Sequence, residues 1–207
     1  TNIVTSVISE LSNLGYLGIV AIKSTVEPGT TKKLSEKYRN LNICFVPEFL
    51  RERCSVSDFI DNHDLCVIGT NSEKDYEFIK NIHGRFPKKF VMCTPTEAEL
   101  VKYFNNIYNA TLITFANNFY EVCQSLDVDY SSVKNAIVQR DHISDSYLDC
   151  NKNFRGFGGA CLPKDTKAIA HLVKENGLPS SLFQELLDHN NRYITPVFDG
   201  MRKGDEL

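Results

Sequence analysis

The sequence has no tryptophan, only two methionines, no CxxC pair and no block of lysine or arginine longer than two residues. Each absence removes a class of function. Without paired spacing, the seven cysteines (Cys44, Cys54, Cys66, Cys93, Cys123, Cys150 and Cys161) build neither a zinc ribbon nor a disulfide framework. They read as reduced thiols, most of them buried as small hydrophobes, and no metal site is expected. A formal charge of -3, from 23 Lys+Arg against 26 Asp+Glu, offers no basic patch to a nucleic acid or an anionic membrane. The longest apolar runs, Leu17–Ile22 and Leu65–Gly69, fall far short of the ~20 residues that cross a bilayer. No basic-then-apolar signal opens the chain, so it reads as a cytoplasmic protein with neither membrane nor nucleic acid as partner. Its first residue is Thr1 rather than Met, which is compatible with a piece cut from something longer. What is present, 42% hydrophobic and 24% charged residues, is an ordinary globular composition.

Along the chain the hydrophobic period changes once. Ile3, Val7, Ile8, Leu11 and Leu14 keep helical spacing, and Ile19–Ile22, Ile43–Val46, Leu65–Gly69 and Phe90–Cys93 are short apolar runs separated by helical stretches at Lys32–Tyr38 and Ser72–His83. Short fully apolar strands alternating with helices predict a parallel sheet covered by helices. Thr94-Pro95-Thr96-Glu97 then supplies an N-cap, a proline in the first turn and a reciprocal glutamate. From there Leu100, Tyr103, Phe104, Ile107, Thr111, Phe115, Phe119, Val122 and Leu126 predict one helix of about 30 residues, against a globular mean of about 11–12. A helix of that length is expected as a spine between domains or as a subunit interface. Shorter helices follow at Ser131–Val138, Pro163–Glu175 and Pro179–Tyr193, so the boundary between an α/β half and a helical half falls near Pro95.

Three segments carry candidate chemistry. In Gly156-Phe157-Gly158-Gly159-Ala160-Cys161-Leu162-Pro163-Lys164-Asp165 the thiol of Cys161 precedes a helix. The unpaired amides there and the nearby Lys164 favour a thiolate, making Cys161 either a nucleophile or a buried structural cysteine. The same segment is not a GxGxxG dinucleotide turn, because Cys161 stands in the third glycine slot, and no other stretch supplies one. Lys102 and Asn106, four residues apart on the long helix, project from one face and either donate jointly to a developing oxyanion or are simply solvated. Pro47-Glu48-Phe49-Leu50-Arg51-Glu52 follows a strand, as does Thr25 in the turn after the first one. Both lie at the sheet edge where open α/β sheets bind ligands; Glu52 there either orients a water or is an ordinary loop carboxylate, and Thr25 either hydrogen-bonds a ligand or water or simply stabilises its turn.

Taken together, Lys23-Ser24-Thr25-Val26, Gly29-Thr30-Thr31, Pro47–Glu52, Glu97–Asn106 and Gly156–Asp165 resemble the UDP-glucose/GDP-mannose dehydrogenase family in order and separation, over roughly residues 19 to 193. The resemblance implies a partial Rossmann-like parallel sheet, residues 1–94 being the second half of an NAD-binding domain. An all-α central dimerisation domain would follow over residues 95–207. It implies NAD-dependent oxidation of a nucleotide-sugar hydroxymethyl group to a carboxylate, with UDP-glucose the first guess, through a cysteine thiohemiacetal and thioester. On that resemblance Cys161 is the nucleophile, Lys102 and Asn106 hold the oxyanion, Asp165 relays a proton, and Glu52 with Thr25 positions the hydrolytic water. Ser24, Thr25, Glu48 and Lys164 lie on the cofactor side, and the long helix makes a homodimer. Arg53-Cys54 depart from the family, which places glycine and a small residue there. The family's glycine turn and carboxyl-terminal nucleotide domain are not seen, so the chain reads as a fragment inactive alone. Two other readings stand beside this one: a catalytically silent dimerisation scaffold, and a hydroxyacid dehydrogenase of the wider superfamily using a lysine but no cysteine.

Overall fold

The computed structural model describes residues 2–51 and 54–193. The chain forms two compact units, Thr1–Lys102 and Tyr103–Leu207. The first unit runs α1 (Asn2–Asn13), β1 (Ile19–Ile22), α2 (Thr30–Lys37), β2 (Asn42–Phe45), α3 (Ser55–Ile60), β3 (Cys66–Gly69), α4 (Glu73–His83) and β4 (Phe90–Cys93). Helix α5 (Pro95–Ser125) starts in this unit and continues through the second, which adds α6 (Tyr130–Ile137), α7 (Leu162–Glu175) and α8 (Leu182–Tyr193).

The four strands lie in chain order, β1-β2-β3-β4. β1 pairs β2 in parallel and β3 pairs β4 in parallel, but β2 meets β3 antiparallel at Phe45↔Gly69. The expected all-parallel sheet is therefore mixed at its centre. A parallel step needs a long crossover, normally a helix laid on the sheet face. Between β2 and β3 the described chain carries only the six-residue α3, which the hydrophobic spacing did not signal. The strands read as unbroken apolar runs because both faces are covered. Ile43, Phe45 and Val67 join Ile8, Ile22, Val26 and Leu34 on one side, and Cys44, Val46, Cys66 and Ile68 join Ile79 on the other. Each fully buried aliphatic side chain contributes about 1.5–3 kcal/mol relative to exposure.

Gly69 ends β3 at a close approach. A Cβ there would sit 2.6 Å from the Ala98 Cβ and 3.0 Å from the Pro95 Cα, so a side chain would force the start of α5 off the sheet. That start is fixed by a reciprocal cap: the Thr94 N–H donates to Glu97 Oε2 at 2.7 Å and the Glu97 N–H to Thr94 Oγ1 at 3.4 Å, as the sequence predicts. In the second unit, Tyr103 and Ile107 of α5 pack against Ile169 and Val173 of α7 and Leu186 of α8. Farther along α5, Ala116 and Cys123 pack with Tyr130, Leu148 and Cys150. The opposite side of α5 is bare, with Phe104, Tyr108, Phe115 and Phe119 exposed. Among the described residues no helix is long and apolar enough to cross a membrane.

Candidate active site

In the first unit, the turn after β1 is built from below by a residue the sequence reading passed over. Glu99 of α5 is fully buried, and its carboxylate accepts the Gly29 N–H at 2.5 Å and the Thr31 N–H at 2.8 Å. Gly29 is the N-cap of α2 and lends no side chain to the capping, so a glutamate seventy residues on supplies the missing acceptor. This closes the turn that carries Ser24, which is exposed, and Thr25, which is half-buried. The sequence held a signal for Glu99: it stands beside Ala98 and one turn before Tyr103, on the side of α5 that is buried.

The segment after β2 is held by two cations. Lys23 forms an ion pair with the Glu48 carboxylate. Lys102 Nζ donates to the Glu48 carbonyl oxygen at 2.5 Å and lies 5.6 Å from the centre of the Phe49 ring. Beyond Phe49, Arg51 grips Asp58 through Nε at 3.0 Å, Nη2 at 2.7 Å and its own backbone N–H at 2.9 Å. The Arg51 side chain foremost, then its backbone N–H, hold the Asp58 carboxyl well below the usual carboxylate range. Arg51 is thereby committed to structure. Glu52, the expected water-positioning carboxylate, lies outside the described residues, as does Arg53. Cys54 follows, half-buried, with its sulfur 3.6 Å from Asp58 Oδ2.

In the second unit, α7 begins directly after Cys161, the one exposed cysteine of the seven. The other six are buried or half-buried, and burial pushes the Cys44, Cys66 and Cys150 thiols up to about 11. Cys161 occupies the N-cap place of α7 without a side-chain capping bond, and its carbonyl accepts the Asp165 N–H at 3.0 Å. One turn on, Asp165 is 1% exposed. Its Oδ2 accepts from Asn106 Nδ2 at 2.6 Å. Lys164 Nζ stands 3.3 Å from Oδ1, at ion-pair distance but off the direction of a hydrogen bond. Asn106 is itself buried and accepts from Asn105 at 3.1 Å. The structure thus brings Asn106, Lys164 and Asp165 together one turn beyond Cys161, and separately brings Lys102 onto the backbone of Glu48.

The loop leading to Cys161 turns at Gly156 and Gly159, with φ of 72° and 73°, conformations that a side chain would strain. Its entry is held by residues that no sequence motif marks. Asn117 Oδ1 accepts Arg155 Nε at 2.7 Å and the Gly156 N–H at 3.1 Å. Arg155 pairs with Glu121, and its guanidinium carbon lies 4.6 Å from the centre of the Tyr120 ring and 4.3 Å from that of Tyr193.

Residues 1–87 match the NAD binding domain of the UDP-glucose/GDP-mannose dehydrogenase family, and residues 96–192 match its central domain. The chain belongs to this family. It is 32% identical over 192 residues to the UDP-glucose 6-dehydrogenase TuaD of Bacillus subtilis, covering 89% of this chain and 41% of that protein. It is 28% identical over 203 residues to the UDP-glucose 6-dehydrogenase of Rickettsia felis, covering 91% and 44%. The solved UDP-glucose dehydrogenase of Pyrobaculum islandicum superposes with a TM-score of 0.79 at 30% identity, over 91% of this chain and 44% of that one. The chain therefore spans less than half the length of these family members. The family's cofactor is NAD, and the first unit fits part of it. Ser24, exposed, and Thr25, half-buried, follow β1, and a hydroxyl can both donate to and accept from a hydroxyl-bearing part of the dinucleotide. The pyrophosphate finds no cradle at α2, because Glu99 already occupies the amides of Gly29 and Thr31.

Proposed function

We propose that this chain carries the catalytic thiol of an NAD-dependent nucleotide-sugar 6-dehydrogenase, with UDP-glucose as first substrate, and that it works with the remaining length its relatives have. The observation that carries the reading is Cys161: exposed at the N-terminus of α7, with buried Asp165 one turn beyond it, tied to Asn106.

In this reading the sugar's C6 alcohol is oxidised twice, and bound NAD supplies the chemistry of hydride acceptance in both steps. Cys161 Sγ adds to the aldehyde carbon that follows the first oxidation, giving a thiohemiacetal whose oxygen carries the developing charge. Lys102 and Asn106 are the donors to that oxygen. Loss of the second hydride leaves a thioester, and a water positioned by Glu52 and Thr25 cleaves it to the acid and frees the sulfur. Asp165, held by Asn106, takes part in the proton transfers. Ser24, Thr25, Glu48 and Lys164 face the cofactor side. The bare face of α5 around Phe104, Phe115 and Phe119 is read as a homodimer contact. A Phe115→Lys substitution is then expected to shift the sedimentation coefficient to that of a monomer, and an unchanged dimer would remove the contact from α5.

The test uses the chain joined to its remaining length, with UDP-glucose and NAD. Two reduced cofactors per sugar are expected, and Cys161→Ala is expected to lower acid formation by at least about 10³-fold, as loss of a covalent nucleophile does. Acid formed at an undiminished rate by that variant would leave the covalent route without support.

A further inference from the structure

The loop before Cys161 has a second anchor with an unusual form. Phe157 is 1% exposed and sits in neither helix nor strand, so its buried N–H and C=O both need partners. One side chain, Asn190 in the last turn of α8, serves both: its Oδ1 accepts the Phe157 N–H at 2.5 Å and its Nδ2 donates to the Phe157 carbonyl at 2.8 Å. An asparagine carries a donor and an acceptor side by side, as a peptide does, and so closes a two-bond ring on the backbone of one residue. Asn190 is itself 3% exposed, and a buried side chain with both polar atoms used has one resting place. Only Gly158, Gly159 and Ala160 separate Phe157 from Cys161. On the far side of the sulfur, Asp165 is tied to Asn106. The cysteine is strung between two amide anchors, with flexible glycines on one side of it.

We propose that Asn190 is a positioning residue for Cys161: by holding both backbone groups of Phe157 it sets where the loop delivers the sulfur at the start of α7. This inference rests on the reading of Cys161 as the working thiol. A displacement of about 1 Å at a reacting atom can cost about 10²-fold in rate, and Phe157 stands only four residues before Cys161.

The experiment compares the full chain with its Asn190→Ala and Asn190→Asp variants, taking Asn191→Ala, an exposed neighbour on the same helix, as control. Two quantities are read: amide hydrogen exchange at residues 157–161, and alkylation of Cys161 by iodoacetamide over a series of pH values. Asn190→Ala is expected to bring exchange of the Phe157 amide to the rate of an open loop, while amides of Ile169 and Val173 stay protected. It is also expected to slow Cys161 alkylation about tenfold at mildly acidic pH with no change at strongly alkaline pH. Asn190→Asp keeps an acceptor for the Phe157 N–H and is expected to fall between; it also answers for the case in which the alanine variant does not fold. Unchanged exchange at Phe157 overturns the proposal. So does faster exchange with an unchanged alkylation profile, since Asn190 would then support the fold without placing the sulfur. Slow alkylation of Cys161 in the unsubstituted chain is a different result: it strikes the proposed function, while the exchange measurement still decides what Asn190 holds.

Discussion

The two helices that matter most to the site begin in opposite ways. At α2 the amides of Gly29 and Thr31 are occupied by the Glu99 carboxylate, brought in from another helix and fully buried. At α7 the N-cap position is an exposed cysteine that makes no side-chain capping bond. A helix N-terminus carries the equivalent of about half a positive charge. In α2 that charge is spent on an internal acid, and what results is a rigid turn. In α7 it remains available to whatever stands at the sulfur. The same backbone feature is a structural device in one unit and a chemical one in the other, and the difference lies in which side chain reaches it.

The largest expected consequence concerns the thiols. With a reagent such as iodoacetamide at mildly acidic pH, Cys161 is expected to react first of the seven, with Cys54 and Cys93 behind it. Cys44, Cys66 and Cys150 are expected to stay unmodified by about 10²-fold or more, since only the thiolate reacts and theirs is disfavoured by burial. Peptide mapping of the alkylated sites reads the order. Uniform slow modification of all seven would erase the contrast between the two helix starts and favour a silent scaffold.

Removing the acid from the closed start comes next. Glu99→Ala leaves the half-buried Gly29 N–H and the buried Thr31 N–H without this acceptor and is expected to cost about 3 kcal/mol of stability, measured by urea unfolding. Exchange of the Gly29 and Thr31 amides should accelerate in the same variant, whereas Cys161 alkylation should not change. Glu99→Gln is expected to be nearly as costly, because its amide N–H₂ turns toward one of the donors. A loss below about 0.5 kcal/mol in Glu99→Ala would mean that α2 does not depend on this carboxylate.

Much of this was written in local sequence. The four strands and every helix but α3 followed from period alone, and the start of α5 from Thr94 and Glu97, because those signals act within a few residues. The antiparallel step between β2 and β3 did not, since strand direction depends on a connection whose single short helix lacks a clear hydrophobic period. Cys161, Asp165 and Lys102 were legible as motif residues. Their supports were not: Glu99 reaches Gly29 across seventy positions, Asn117 reaches Gly156 across thirty-nine, and Asn190 reaches Phe157 across thirty-three. A polar residue on an otherwise apolar helix face says that it needs a partner, and only the fold says which one.

A last effect separates the buried thiols from the exposed one by pH. Cys44 and Cys66 in the first unit and Cys150 in the second are raised from an ordinary value of 9.0 to about 11, chiefly because burial disfavours the thiolate. At neutral pH each is protonated in both the folded and the unfolded chain, so the stabilisation is fully present. As pH rises past 9.0 the unfolded chain loses these protons first, and folding then binds protons. Stability is therefore expected to fall between 9.0 and about 11, by at most about 1.4 kcal/mol per pH unit for each thiol. Urea midpoints at a series of alkaline pH values measure the slope. Replacing Cys44, Cys66 or Cys150 by alanine should flatten it by one thiol's share, whatever the cavity does to the absolute midpoint. A slope that each of the three replacements leaves unchanged would show that burial of these thiols is not its source.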